Sequence, residues 1–332
     1  MKLTHIYKVI LTGLVICFSS LSGLNGQPVP GVDENIPFLV TFGKDGDKSW
    51  GDPNFSQTFY FAVPKDFKDR FYIRVFDPDT GGQNDEQKGD WNTKMQYSVY
   101  GGKGVDPDIN RDTRGVTPTG NYKSGNILQT RTFGVDPQYD NEWFTFGPFI
   151  ATQGDFSAKW NMYIFKIICG GISGDDGNLY KYFFSRDPKS NLPIEGSKAF
   201  TYAYTFRMWN DIQSVSHIYP YIDTGIVYVR ERNFDWDDDG NITVVSKVRR
   251  GLELKVSGQK EWQENRIIVD AGEVGSSLDF QFHKKQDFLI RNNNVLIQLE
   301  NQRGDGIEVY PAPIGGVPVY QVDAVVRPGK RK

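Results

Sequence analysis

Short runs in which aromatic and β-branched residues recur at every second position fill this chain, and that period of two decides its class of fold. The runs "FLVTF", "TFYFAV", "FYIRVFD", "MQYSVYG", "WFTFGPF", "MYIFKII", "YKYFFS" and "FTYAYTF" follow one another to residue 206. "IVYVRERNF", "NITVVSKV", "LELKVSG", "RIIVDAG", "LDFQFHK", "VLIQLEN" and "IEVYPAP" continue the series. Successive side chains of an extended chain point to opposite faces, so each run can lay one face on a core. Gly, Pro, Asn or Asp bounds each run, and the 35 glycines and 17 prolines supply the turns between them. No stretch after the first thirty residues sustains apolar residues at helical spacing. The chain is therefore expected to be all-β, built of β-sandwiches.

A chain of 332 residues exceeds one small sandwich. A boundary is expected near "RMWNDIQSVSH", residues 207–217. It divides a larger jelly-roll-like sandwich at 33–208 from a smaller immunoglobulin-like one at 214–320, with an extended basic tail at 321–332. Residues 1–26 read as a secretory signal peptide: Lys2 and Lys8 precede the apolar run Val9 to Phe18, and small residues lead to Gly26. That run is shorter than the ~20 apolar residues a spanning helix needs. An exported protein without a membrane-spanning segment is the expectation. The formal net charge of −3, with no basic stripe, argues against nucleic acid as a partner. Of two cysteines, Cys17 lies in the leader. Cys169 in "YIFKIICGG" reads as a small buried hydrophobe.

Several turns carry more acid than a turn needs. In "NFDWDDDGNITVV", Asp235, Asp237 and Asp239 alternate ahead of Gly240. Asn241 follows, as in the first half of a calcium loop. Ser246 stands where such a loop closes with Glu, and Asp-Gly is itself a hairpin signal. Both readings stay open: a turn, and a structural Ca2+ site. "VFDPDTGGQNDE" sets Asp77, Asp79 and Asp85 at a strand end and is a second candidate, resembling one acidic loop of the calcium-dependent C2 domains. "VDPDIN" and "SGDDGN" read as plain turns. No organic cofactor is expected.

Catalysis is not expected. His217 and His283 are the histidines beyond the leader, and neither neighbours a G-x-S-x-G elbow. Two histidines without cysteine neighbours do not make an ordinary zinc site. Trp50, Trp91 and Trp262 lie near loops or strand ends, where an aromatic face can stack on a sugar ring. They are the candidate ligand residues of a glycan-binding alternative.

"PFLVTFGKDGDKSWGDPNFSQTFYFAVP", "FYIRVFDPDTGG", "GVTPTGNYKSG", "GISGDDGNLYKYFFS", "NFDWDDDGNITVVS", "RNNNVLIQLENQ" and "PIGGVPVY" together resemble exported β-sandwich envelope proteins of Bacteroidota. In that family the region often precedes an OmpA-like domain. The hairpin "FKIICGGISGDDGNLYKYFFS" is similar to one in pre-peptidase C-terminal domains, which are also non-catalytic sandwiches. The resemblance implies an envelope location, in the periplasm or at the outer membrane, and implies no activity. The expected role is a non-catalytic structural or interaction component. Its partner would be another envelope protein, such as part of the type 9 secretion translocon, or in the alternative a glycan.

Overall fold

Nearly every run named above becomes a strand, and the pairing of those strands departs from two separate sandwiches. A computed structural model describes residues 28–48, 54–114, 120–236, 240–285 and 294–315. The expected signal peptide and tail lie outside them.

In chain order the strands are β1 (Pro28–Val29), β2 (Phe38–Phe42), β3 (Ser56–Pro64), β4 (Phe71–Phe76), β5 (Lys94–Gly101), β6 (Asn126–Phe133) and β7 (Trp143–Phe149). Next come β8 (Asp155–Ser157), β9 (Met162–Ser173), β10 (Gly177–Ser185), β11 (Lys198–Phe200), β12 (Ala203–Arg207), β13 (Val215–Ile222) and β14 (Tyr228–Phe234). The last are β15 (Gly240–Val245), β16 (Leu252–Leu254), β17 (Trp262–Ile268), β18 (Ser276–Ser277), β19 (Asp279–Lys284), β20 (Asn294–Glu300) and β21 (Val309–Tyr310). There is no α-helix among the described residues, and no helix is long and apolar enough to cross a membrane. Every strand ladder is antiparallel.

Three sheets result. Sheet I runs β17-β14-β20-β12-β2-β10-β4-β7, with β1 also on β10. Sheet II runs β11-β3-β9-β5-β6, with β8 on β9; sheet III runs β16-β15-β19-β13-β18, with β21 on β13. The expected boundary at 207–217 falls between β12 and β13, yet sheet I does not stop there. β12 pairs on one side with β20 (Phe206↔Val295) and on the other with β2 (Phe206↔Leu39). Strands from both expected blocks thus share one sheet.

Sheets II and III lie side by side against the same face of sheet I. Neighbouring core positions on β12 make this visible. Tyr204 meets Phe59 of sheet II at 5.7 Å between ring centroids, and Phe206 meets Phe282 of sheet III at 5.3 Å. Farther out, Phe61 stacks on Phe184 and Tyr97 meets Tyr180 edge-on. The offset and edge-on arrangements are those the ring quadrupole favours. One continuous core results, running from Phe71 and Ile73 through Tyr204 to Phe280 and Leu299.

The aromatic run "FTYAYTF", expected as one strand, is two. Its first part, β11, pairs with β3 in sheet II, and its second, β12, joins sheet I. The chain crosses between sheets at Thr201 and Tyr202. There the Thr201 hydroxyl donates to Thr58 O and Ala203 O while its N–H donates to Val309 O. Backbone groups left by the crossing are thereby satisfied.

A second device closes the gap where β12 leaves β2. Continuing their register would set Thr205 opposite Val40, but the ladder ends one residue earlier. The Gln57 carboxamide fills the place. It donates to Val40 O (2.6 Å) and Thr205 O (3.0 Å) and accepts from Thr205 N (3.1 Å). Gln57 shares the core-facing side of β3 with Phe59 and Phe61, and it is buried. The segment before β2 is held in a similar way. The Glu34 carboxyl accepts from Gly31 N (2.6 Å) and from the Tyr204 hydroxyl (3.0 Å). Asn35 O accepts from Trp209 Nε1 and from the Ser216 hydroxyl, and Tyr219 donates to Asp33 O. Desolvation pushes the Glu34 carboxyl up to about 8.

Two predictions follow from these buried groups. Gln57→Ala leaves three buried backbone groups without partners and costs about 2–4 kcal/mol in urea unfolding; a cost near zero contradicts the bridging role. Glu34 has a raised folded pKa. Its stabilisation is therefore complete below its ordinary value of 4.5 and is lost as pH rises through about 8. Between those limits the group contributes a slope of about −1.4 kcal/mol per pH unit. Glu34→Gln should remove that slope in stability measured from pH 5 to 7.5.

Candidate metal centre

β4 and β7 pair with Phe76 opposite Trp143, so the chain leaving β4 and the chain entering β7 meet at one end of sheet I. That pairing brings three aspartates together. Asp77 and Asp79 follow β4, and Asp140 precedes β7; one oxygen from each lies within 4.8 Å of the others. Asp77 and Asp79 are 2% and 1% exposed.

The two loops are built to hold this geometry. Asp77 takes a left-handed conformation (φ 54°) that ends β4, and its N–H donates to Glu142 O. Its carboxylate accepts from Asn141 N (3.0 Å) and Asn84 Nδ2 (2.6 Å). Asp79 Oδ2 accepts from Asp136 N (3.1 Å), while Thr80 N donates to Gly134 O. Gly82 has φ +69°, and a Cβ there would sit 3.0 Å from the Asp140 carboxyl carbon. Glycine serves both the turn and the close approach at that position.

Crowding and burial act on the acids themselves. Desolvation, offset in part by hydrogen bonds, raises the Asp77 carboxyl above its ordinary range, and nearby Asp140 adds to the rise. Desolvation lifts Asp79 to about 7, with Asp140 and Asp77 contributing. Most other turn acids here are consumed by backbone amides. Asp176 accepts from Lys88 N, Asn92 N and Thr93 N, and Asp155 from Gly104 N, Val105 N and Asp106 N. Asp79 Oδ1, like Asp175 Oδ1, is buried with no hydrogen-bond partner, and Asp79 alone of the two lies within the carboxylate cluster.

The residues fit a hard divalent cation. Oxygens each 2.3–2.6 Å from a Ca2+ ion lie no more than about 5 Å apart, as these three do. The donor set is all oxygen, which suits Ca2+ or Mg2+ over softer metals. A cation held there would supply a partner for Asp79 Oδ1 and relieve the repulsion among the carboxylates.

Of the acids expected in the first loop, the fold brings Asp77 and Asp79 together and leaves Asp85 out. Asp85 accepts from Gly81 N (2.8 Å) and Leu179 N (2.7 Å), tying the loop to β10. Burial raises its carboxyl well above the ordinary range. Asp140 was not among the expected ligands. Its only sequence signal is the acidic turn "VDPQYDNEWF" before β7, and nothing local says that β7 pairs with β4.

Asp237 and Asp239 of the second loop lie outside the described residues. Asp235 accepts from Lys260 N (2.7 Å), and Asn241 sits in β15 opposite His283. Gly240 is required by packing, since a Cβ would fall 2.3 Å from His283 O.

Trp50 also lies outside the described residues. Trp91 is half-buried. Trp262 is 39% exposed on edge strand β17, with the Arg232 guanidinium 4.5 Å over its ring and Phe234 at 4.8 Å. His217 Nδ1 lies 2.8 Å from Asp279 Oδ1, and the adjacent Ser216 hydroxyl donates to Asn35 O. Consecutive strand residues point to opposite faces, so the two do not form a nucleophile–base pair. Burial pushes the Cys169 thiol up to about 12, leaving it protonated and unreactive at neutral pH.

No protein-family model and no curated protein matches the chain.

Because a metal must displace the Asp79 proton, affinity for Ca2+ should rise as pH passes upward through about 7. Calorimetric titration at pH 6 and pH 8 checks this, and Asp79→Asn should abolish the difference.

Proposed function

We propose that the protein is an exported, non-catalytic binding component of the bacterial cell envelope, with a Ca2+ ion fixing the loops at one end of its large sheet. The observation that carries the cation is the meeting of Asp77, Asp79 and Asp140 around a buried, unpartnered oxygen. The binding role is supported by what the other acids do. Asp85, Asp155 and Asp176 clamp backbone turns, and Asp223 and Glu308, which line one cleft, share the Lys159 ammonium between them. Export is supported by the leader-like residues 1–26. The narrower form, a periplasmic partner of an outer-membrane machine such as the type 9 translocon, rests on the resemblance of the chain to Bacteroidota envelope sandwiches.

Calcium at a hundredfold excess over its dissociation constant should stabilise the fold by about 2.7 kcal/mol. Asp79→Asn combined with Asp140→Asn should lose that gain. Equal melting temperatures in millimolar calcium and in chelator would remove the cation from the proposal. The envelope role is tested by affinity capture of the tagged protein from native membranes in mild detergent. A stoichiometric outer-membrane or periplasmic protein is the expected result; its absence, with and without calcium, would sink the interaction reading.

A further inference from the structure

The outward face of sheet II carries a polar cleft far in kind from the acidic loops. Three strands set its floor in cross-strand rows. Gly170 of β9 lies between Ser56 of β3 and Gln96 of β5, and in the next row Ile168 lies between Thr58 and Ser98. Tyr100, Tyr122, Lys123 and Phe55 wall a space of about 150 Å³ over this floor. That holds several waters or one small ring.

Four features mark it as a site. Ser56 lines the cleft and its hydroxyl is buried with no hydrogen-bond partner, as is the Thr58 hydroxyl in the neighbouring row. Buried polar groups normally find a partner, so these point to an absent one. The paired glycines beside them are not equivalent. A Cβ on Gly171 would strike Phe42 O at 2.2 Å, whereas one on Gly170 meets nothing nearer than 3.9 Å and φ there is ordinary. Packing thus explains Gly171 but not Gly170, whose missing side chain keeps the floor open.

The charge is one-sided. The lining includes Lys123 and no carboxylate among the described residues. Behind the aromatic wall, buried Lys166 donates to Tyr122 O, lies 5.2 Å from the centre of the Tyr100 ring, and has no carboxylate partner among the described residues. The Lys123 ammonium stands 5.5 Å from the Tyr122 ring centre. Hydroxyl and carboxamide groups on the floor, aromatic walls and a positive rim suit a compact, polyhydroxylated anion.

We infer that this cleft binds one acidic sugar residue of a glycan, with ring hydroxyls on the Ser56–Gln96 floor and the carboxylate toward Lys123. The inference names a ligand for a protein read above as working by binding. It needs neither the cation nor an envelope protein partner, so its test stands apart from theirs.

Titration of the full chain with D-glucuronate and with D-glucose, followed by calorimetry or amide NMR, decides it. Glucuronate should saturate with a dissociation constant on the order of 1 mM, and glucose should bind at least about tenfold more weakly. Gly170→Val fills the floor with a residue that suits a strand; it should keep the melting temperature and lose glucuronate binding. Lys123→Ala should bring glucuronate down to the level of glucose. No saturable glucuronate binding, or unchanged binding by a folded Gly170→Val protein, overturns the site. Equal binding of the two sugars overturns the acidic class.

Discussion

The architecture depends on one short strand, Ala203–Arg207, and on the carboxamide that guards its edge. Ladder hydrogen bonds run from this strand to Asn294–Glu300 on one side and to Phe38–Phe42 on the other, joining the first and last thirds of the fold in one sheet. Two sheets must then pack on the same face of that sheet, and at their meeting line sheet I cannot remain regular. The Phe38–Phe42 and Ala203–Arg207 strands splay after two paired residues, which would strand the polar groups of Val40 and Thr205 inside the core. Gln57 reaches across from the facing sheet and satisfies both. An unpaired buried backbone group costs about as much as a lost hydrogen bond. A core of Tyr204, Phe206 and Phe59 is thus compatible with a split in the sheet only because an amide-bearing side chain sits at this point.

The segment ahead of the first long strand repeats the logic with a costlier group. Glu34 is wholly buried and stays protonated near neutrality, accepting from Gly31 N and the Tyr204 hydroxyl on one oxygen. Around it, Asp33 and Asn35 offer backbone carbonyls to Tyr219, Trp209 and Ser216. The acceptors come from the start of the chain and the donors from the stretch where the two expected blocks join. A short polar hook therefore pins that junction. Asp187 and Asp211 perform the same service at lower cost, since their carboxylates keep contact with water while each accepts two backbone amides.

What was legible in the residues was local. "TFYFAV", "MYIFKII" and "YKYFFS" read as strands because they are rich in aromatic and β-branched residues and bounded by turn residues; both faces of each are largely buried, as Phe59 and Tyr60 show in separate clusters. That signal fails where such a run is missing. Asn126–Phe133 is an edge strand exposed along most of its length, and Val215–Ile222 contains Pro220, so neither shows a clean period of two. "FTYAYTF" alternates without interruption, yet the chain changes sheets inside it; the switch is dictated by partners far away in the chain, at Phe38–Phe42, Ser56–Pro64 and Asn294–Glu300. The same limit explains the candidate metal site. Asp77 and Asp79 were visible as excess acid in a turn, but Asp140 joins them only through the pairing of Phe76 with Trp143.

Acid in a turn is a weak sign of a metal, and this chain shows why. Asp85, Asp155 and Asp176 look in sequence much like Asp77 and Asp79, yet Asp85 and Asp176 have both oxygens on backbone N–H groups and Asp155 holds three such groups on Oδ2. A carboxylate so engaged has little left to offer a cation. The informative quantity is the number of lone pairs remaining after the backbone has been served, not the number of acids. By that measure Asp79 qualifies, with one oxygen on Asp136 N and the other buried and bare inside the carboxylate cluster. Its neighbours are two more carboxylates, whose repulsion and desolvation oppose ionisation. Without a cation, the arrangement is easiest to maintain with Asp79 protonated; a cation there would let all three acids ionise and would join the loops from Asp77 and to Asp140. Under the proposed cation site, metal and proton would compete at a single buried oxygen atom.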